Sequence, residues 1–140
     1  MQILFDSINT TLPAINQKEL SKWISDAVIS NGKKIKELSI IFCDDQYILQ
    51  LNEKYLDHSY YTDILTFDYS EKNFISGDLI ISIDTVLSNS KQFKTQFLTE
   101  LHRVIIHGIL HLLGFDDKTE EQKQIIRDKE EYYLERLNNI

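Results

Sequence analysis

Residues 107 to 117 read His107-Gly108-Ile109-Leu110-His111-Leu112-Leu113-Gly114-Phe115-Asp116-Asp117. Two imidazoles stand four positions apart, so His107 and His111 lie one turn apart on the same face of a helix. Gly114 then supplies a residue that can leave the helix and bend the chain back. Upstream, the segment from about Thr95 to Leu113 carries Phe97, Leu98, Leu101, Val104, Ile105, Ile106, Ile109, Leu110, Leu112 and Leu113. These positions wrap nearly the whole helix circumference, which predicts a helix buried on most sides. The fold must therefore surround this helix with other elements.

Working outward, residues 2 to 5 read as a short strand. A helix is expected from Asn16, with Glu19 three residues on as in a capping box and Leu20, Trp23, Ile24, Ala27 and Val28 as its apolar stripe. Gly32 ends it. Leu38 to Cys43 is a buried-strand candidate, and Asp44 or Asp45 caps a short helix with Ile48, Leu51 and Tyr55 inward. Ile64 to Tyr69 and Asp78 to Ile83 read as strands separated by a polar stretch from Ser70 to Gly77. Helix resumes near Asp84. Thr119 with Gln122 is a second capping pair and opens a final helix with Ile126, Tyr133 and Leu137 inward. The order β-α-β-α-β-β followed by helices predicts an α+β fold: one small mixed sheet of about four strands covered by helices, with the His pair on a buried central helix in a zincin-like arrangement.

At 140 residues the chain holds one ordinary core, so residues 1–140 are read as a single metal-dependent hydrolase domain. An apolar content of 42% and a charged content of 26% are close to globular averages. No stretch approaches the ~20 apolar residues that span a bilayer, and the first residues lack the basic start and apolar run of a signal peptide; a soluble, cytoplasmic protein is expected. Cys43 is the only cysteine, which rules out an internal disulfide and any cysteine-based zinc site. The formal charge of −7 opposes indiscriminate nucleic-acid binding. An RNA ligand would need a local patch, for which Lys33, Lys34, Lys36, Lys91, Lys94 and Arg103 are the candidates.

A single buried histidine is commonly a hydrogen-bonded core residue. Two of only four histidines on one stripe of an apolar helix are harder to explain that way, since an unpaired buried polar group costs about 1–3 kcal/mol. Gly114 and Asp117 complete the spacing H-x-x-x-H-x-x-G-x-x-D, which resembles the extended metzincin zinc motif with Asp as the last ligand. The expected metal ligands are His107, His111 and Asp117, with Asp116 the competing carboxylate or an acceptor for an imidazole N–H. One zinc ion is the default for imidazole and carboxylate donors, with nickel or another transition metal as alternatives. Such a site keeps open positions, the mark of a catalytic rather than a structural metal. Arg103, four residues before His107, shares its face and is the candidate catalytic cation, positioned either to clamp a phosphate or to pair with a carboxylate. Zincin proteases carry a glutamate directly after the first histidine as general base, and that place is Gly108 here. The small residue also leaves room beside the metal.

The 107–117 segment resembles the H-G-x-L-H-L-x-G-[YF]-D-H signature of the YbeY endoribonucleases, the bacterial rRNA maturation factors. Leu51-Asn52-Glu53-Lys54-Tyr55, Thr62-Asp63-Ile64-Leu65-Thr66-Phe67 and Gly77-Asp78-Leu79 are similar to that family's L-N-x-x-Y, T-D-V-L-S-F and G-D-I elements, in the same order. The resemblance implies a zinc-dependent, single-strand-specific endoribonuclease that matures ribosomal RNA, notably the small-subunit 3′ end, and takes part in ribosome quality control. It also implies single-stranded rRNA and the ribosome or small-subunit proteins as partners, with neither membrane nor DNA among them. By position it assigns the zinc ligands to His107, His111 and Asp117. The chain departs from the pattern twice: Asp117 stands where the signature ends in histidine, and Leu56 stands where the Y-R step has its arginine. Arg103 or His58 is then the candidate to meet RNA, His58 being otherwise an exposed loop residue. The alternatives are a ribosome-associated factor with a structural metal and little catalysis, favoured by Leu56, and a zincin-type peptidase, disfavoured by Gly108.

Overall fold

The computed structural model describes residues 3–56 and 62–138. Its elements, in chain order, are β1 (Ile3–Ile8), α1 (Gln17–Ser30), β2 (Lys34–Cys43), α2 (Asp45–Leu56), β3 (Ile64–Asp68), β4 (Phe74–Ser82), α3 (Ile83–Gln92), α4 (Phe97–Leu112) and α5 (Glu120–Asn138). The sheet has the order β1-β2-β4-β3. Strands β1, β2 and β4 run parallel, and β3 joins antiparallel to β4 at the edge. This is the mixed α+β architecture expected, with four strands and five helices among the described residues.

The strands are longer than the apolar runs suggested. Strand β2 starts at Lys34 rather than Leu38, and β4 starts at Phe74 rather than Asp78. Each early half pairs with the other, Lys34 against Phe74 and Ile35 against Ile75. Backbone pairing thus extends into sequence whose side chains are mostly polar, and only Ile75 there is fully buried.

Local chemistry sets the helix ends. Asn16 caps α1 by accepting from the Glu19 N–H at 3.0 Å. Of the two aspartates at the start of α2, Asp44 is the cap, accepting from the Tyr47 N–H at 2.9 Å. Asp45 instead ties α2 to α3, accepting from the Ser82 and Thr85 hydroxyls at 2.6 Å each. Tyr55, expected inward, is 57% exposed, its ring edge-on to Phe67; Ile48 and Asn52 form the buried side of α2. Thr119 and Gln122 form the reciprocal capping box of α5: the Gln122 N–H donates to Thr119 Oγ1 at 3.1 Å and the Thr119 N–H to Gln122 Oε1 at 3.2 Å.

The core lies between the sheet and helices α1, α4 and α5. Leu101, Ile105, Ile106, Ile109 and Leu110 of α4 are completely buried, each such side chain contributing about 1.5–3 kcal/mol of apolar transfer. Gly108 presses α4 onto the sheet: a Cβ there would lie 2.8 Å from Ile64 Cδ1 and 2.9 Å from Leu79 Cδ2. The missing side chain serves the approach of helix to sheet, and the expected room beside the metal is not its role. Trp23 fastens α1 to α5, its indole N–H donating to the Tyr133 carbonyl at 2.8 Å.

Candidate metal centre

Helix α4 presents His107 and His111 beside the Gly108 face that meets the edge of the sheet, with ring centroids 4.6 Å apart and planes at 79°. The helix ends in a Schellman motif. Gly114 takes a φ of +103°, the Phe115 N–H donates to Leu110 O at 3.0 Å, and the Gly114 N–H donates to His111 O at 3.0 Å. This left-handed step turns the chain so that Asp117 returns over the histidines. His107 Nε2 and His111 Nε2 are 3.0 Å apart, and Asp117 Oδ2 lies 3.6 Å from the first and 3.5 Å from the second.

Those spacings suit a metal. Ligand atoms held about 2.0–2.1 Å from a tetrahedral ion stand about 3.3 Å apart, close to each edge of this triangle. Two imidazole lone pairs and a carboxylate oxygen aimed at one point repel each other unless a cation or proton is shared among them. His107, His111 and Asp117 thus form a group able to hold a metal ion. Asp116, the competing carboxylate, is exposed.

The groups behind the ligands come from elsewhere. Glu130, on α5 and buried, accepts from His107 Nδ1–H at 2.6 Å and so leaves the Nε2 lone pair facing the site. It takes the orienting role considered for Asp116. Burial pulls the His107 pKa down, but the Glu130 bond and the nearby charges of Glu130, Asp117 and Asp63 outweigh it, and the net shift is upward. Arg103 is held among carboxylates: Glu131 at 2.6 Å, Glu130 at 3.3 Å and Glu100 at 3.7 Å. Burial raises the pKa of Glu100, and it raises that of Asp63, which His107 only partly offsets.

Two clefts meet at the cluster. One, of about 500 Å³, runs along edge strand β3 from Thr62 to Asp68 and reaches His107, His111 and Asp117. The other, of about 310 Å³, opens between α3, α4 and α5, and contains Arg103, His107 and Asp117. Asp63 lines both. Among the cations proposed for RNA, Arg103 alone lines these clefts, while Lys36 pairs with Glu71 at 3.3 Å. Lys123 and Arg127 of α5 line the second cleft and were not singled out from sequence. His58 lies outside the described residues.

Sequence reasoning also missed Glu130, although a signal was present. It falls between Ile126 and Tyr133 at spacings of four and three, on the inward stripe of a helix whose other charges face outward. Asp63 sits inside a recognised motif, but only the fold brings it beside His107.

Fold and site together define an α+β protein with a His-His-Asp cluster competent to bind a metal, set at the junction of an edge strand and a buried helix. The family model described as Endoribonuclease YbeY matches residues 6–138, and the chain belongs to that family. Relatives named Endoribonuclease YbeY include one from Parabacteroides distasonis, 50% identical over 130 residues that cover 93% of this chain and 92% of that protein. Another, from Bacteroides thetaiotaomicron, is 45% identical over 130 residues covering 93% and 95%. The solution structure of TM1509 from Thermotoga maritima shares the fold, with a TM-score of 0.68 and 24% identity over 97% of this chain and 89% of that one.

Proposed function

We propose that the chain is a zinc-dependent, single-strand-specific endoribonuclease that acts in rRNA maturation, at the small-subunit 3′ end, and in ribosome quality control. The carrying observation is the convergence of His107 Nε2, His111 Nε2 and Asp117 Oδ2 within 3.6 Å of one another in a chain of the YbeY family. These three residues would hold zinc, or nickel or another transition metal, in a zincin-like arrangement within a single domain. When bound, such an ion lowers the pKa of coordinated water toward ~7 and polarises a phosphoryl oxygen.

The protein's own groups complete the chemistry. Glu130 keeps the proton on His107 Nδ1, which fixes the tautomer that ligates through Nε2. Asp63, its carboxyl biased toward the protonated form by burial, lines both clefts and is the group from which the leaving oxygen takes a proton. Arg103 places positive charge in the cleft beside His107, in a chain whose Leu56 replaces the arginine of the family pattern. Its contacts with Glu100, Glu130 and Glu131 hold it there. Ribosomal RNA, reached with the ribosome or small-subunit proteins, is the proposed partner, in the cytoplasm. Among the described residues no helix is long and apolar enough to cross a membrane.

A peptidase is disfavoured because a general base at position 108 would have to displace Ile64 and Leu79. A ribosome-associated factor with a structural metal is the second reading, favoured by Leu56. Single-stranded RNA, duplex RNA, single-stranded DNA and a peptide are offered to the metal-loaded wild type and to His111→Ala. Cleavage of single-stranded RNA alone, lost in the variant, is the expected result. Equal RNA cleavage by both proteins overturns the proposal, and support of ribosome assembly by the metal-free variant favours the second reading.

A further inference from the structure

The cleft between α3, α4 and α5 has features the hydrolytic chemistry leaves unused. Phe93 stands on its wall with 59% of its surface exposed, so its ring is open to a planar ligand that enters the cleft. It is held firmly, because it ends α3 with its N–H donating to Asn89 O at 2.9 Å, and Lys94 follows in the left-handed region at a φ of 56°. Asn89 lines the same wall, and among the described residues its carboxamide makes no hydrogen bond. Arg127 and Lys123 line the cleft from α5, and within the described residues Arg127 has no ion-pair partner.

The charge is graded across this cleft. Its acidic groups are Asp63, Glu100, Asp117 and Glu130, of which Glu100 and Glu130 share Arg103, while the exposed Arg127 and Lys123, the latter 3.5 Å from Glu120, contribute the additional cations. An acidic interior repels a phosphate, and exposed cations attract one. A volume of about 310 Å³ is at the small end for ligand sites and suits one ring system rather than a length of chain. An aromatic face, an unused amide and a neighbouring cation form the combination by which proteins bind single-stranded bases.

We propose that this cleft is a base subsite: the nucleobase beside the scissile phosphodiester stacks on Phe93, its edge bonds the Asn89 carboxamide, and its outer phosphate meets Arg127 and Lys123. The subsite rests on the endoribonuclease reading and explains how a chain of net charge −7 selects unpaired RNA, because a base held in a duplex cannot enter.

The test uses the full, metal-loaded chain and a short single-stranded oligoribonucleotide, with the bases removed one position at a time in parallel substrates. Base–aromatic stacking is worth about 1–3 kcal/mol, which converts to a rise in KM of about 5- to 150-fold for Phe93→Ala. Phe93→Trp restores binding, and Tyr132→Ala, an aromatic truncated on another face of α5, leaves KM unchanged. In the wild type one abasic position next to the cut raises KM by a similar factor, and Phe93→Ala no longer senses that position. Unchanged KM in Phe93→Ala, or an abasic penalty that persists in full in that variant, overturns the subsite while leaving the nuclease intact. If the wild type cleaves no RNA, the endoribonuclease reading fails and the subsite fails with it.

Discussion

The face of α4 that meets the sheet and the face that meets α5 are held by different physics. On the first, the bare Gly108 lies against Ile64 of β3 and Leu79 of β4 and Leu112 lies over Gly77 of β4, and the only requirement is shape. On the second, Glu100, Arg103, His107 and His111 stand in one row, each a liability in a helix so deeply packed unless something answers its charge. Glu130 and Glu131 of α5 answer for Arg103, Glu130 also for His107, and Asp117 closes over both histidines. A residue on the sheet face should therefore matter to stability alone, and one on the α5 face to chemistry first.

The sharpest break of this contrast is His111→Ala. It removes one of the three proposed ligands while leaving the contacts of Gly108 with Ile64 and Leu79 in place, and metal affinity measured by titration should fall by more than about a hundredfold, the usual ceiling for an outer-shell carboxylate. Glu130→Gln keeps the shape but weakens the hold on His107 Nδ1, and the same titration should show a loss of about 10- to 100-fold. A loss as large as that of His111→Ala would mean Glu130 is itself a ligand. On the sheet face, Gly108→Ala should lower unfolding stability by about 1 kcal/mol, overpacking against the Cδ ends of Ile64 and Leu79 being partly offset by the greater helix propensity of alanine. Unaltered denaturation would show that the helix can slide.

Acidity separates the faces further. The folded pKa of His107 is raised, so in the metal-free chain its bond to Glu130 stabilises fully below the ordinary value near 6.5. That contribution fades as pH climbs through the raised value. Metal uptake needs Nε2 unprotonated and should strengthen over the same climb. Denaturation of the metal-free chain and metal titrations from about pH 5 to about pH 9 should slope in opposite directions, and parallel slopes would contradict the assigned His107–Glu130 pairing. The smallest effect belongs to Glu131→Gln. Its carboxylate is 55% exposed, and loss of its contact with Arg103 should change stability by no more than about 1 kcal/mol.

The sheet face was readable in advance because apolar periodicity speaks directly of burial, and the element order and the central helix came from that pattern. The extra lengths of β2 and β4 were not, since they rest on backbone pairing between residues 34–37 and 74–76, where side chains carry little signal. On the other face, His107, His111 and Asp117 were legible because all three lie within one local motif. Glu130, Asp63 and Phe93 lie 14 to 44 residues from that motif's nearest histidine, counting from His107 and His111, and only tertiary packing brings them to it. Arg103 could be placed on the correct face, but its three carboxylate partners could not be anticipated from spacing alone.

The Schellman turn at Gly114 has a thermodynamic consequence. Because His107, His111 and Asp117 span only eleven residues, closing the loop between them carries a small entropic penalty even in the denatured chain. A metal can therefore associate with the unfolded protein, and any such affinity subtracts from the stabilisation that ligand binding confers on the native state. What the unfolded chain lacks is Glu130, more than a dozen residues beyond Asp117 and presented only when α5 docks. Discrimination between folded and unfolded protein thus falls to a carboxylate behind the site rather than to the ligands themselves.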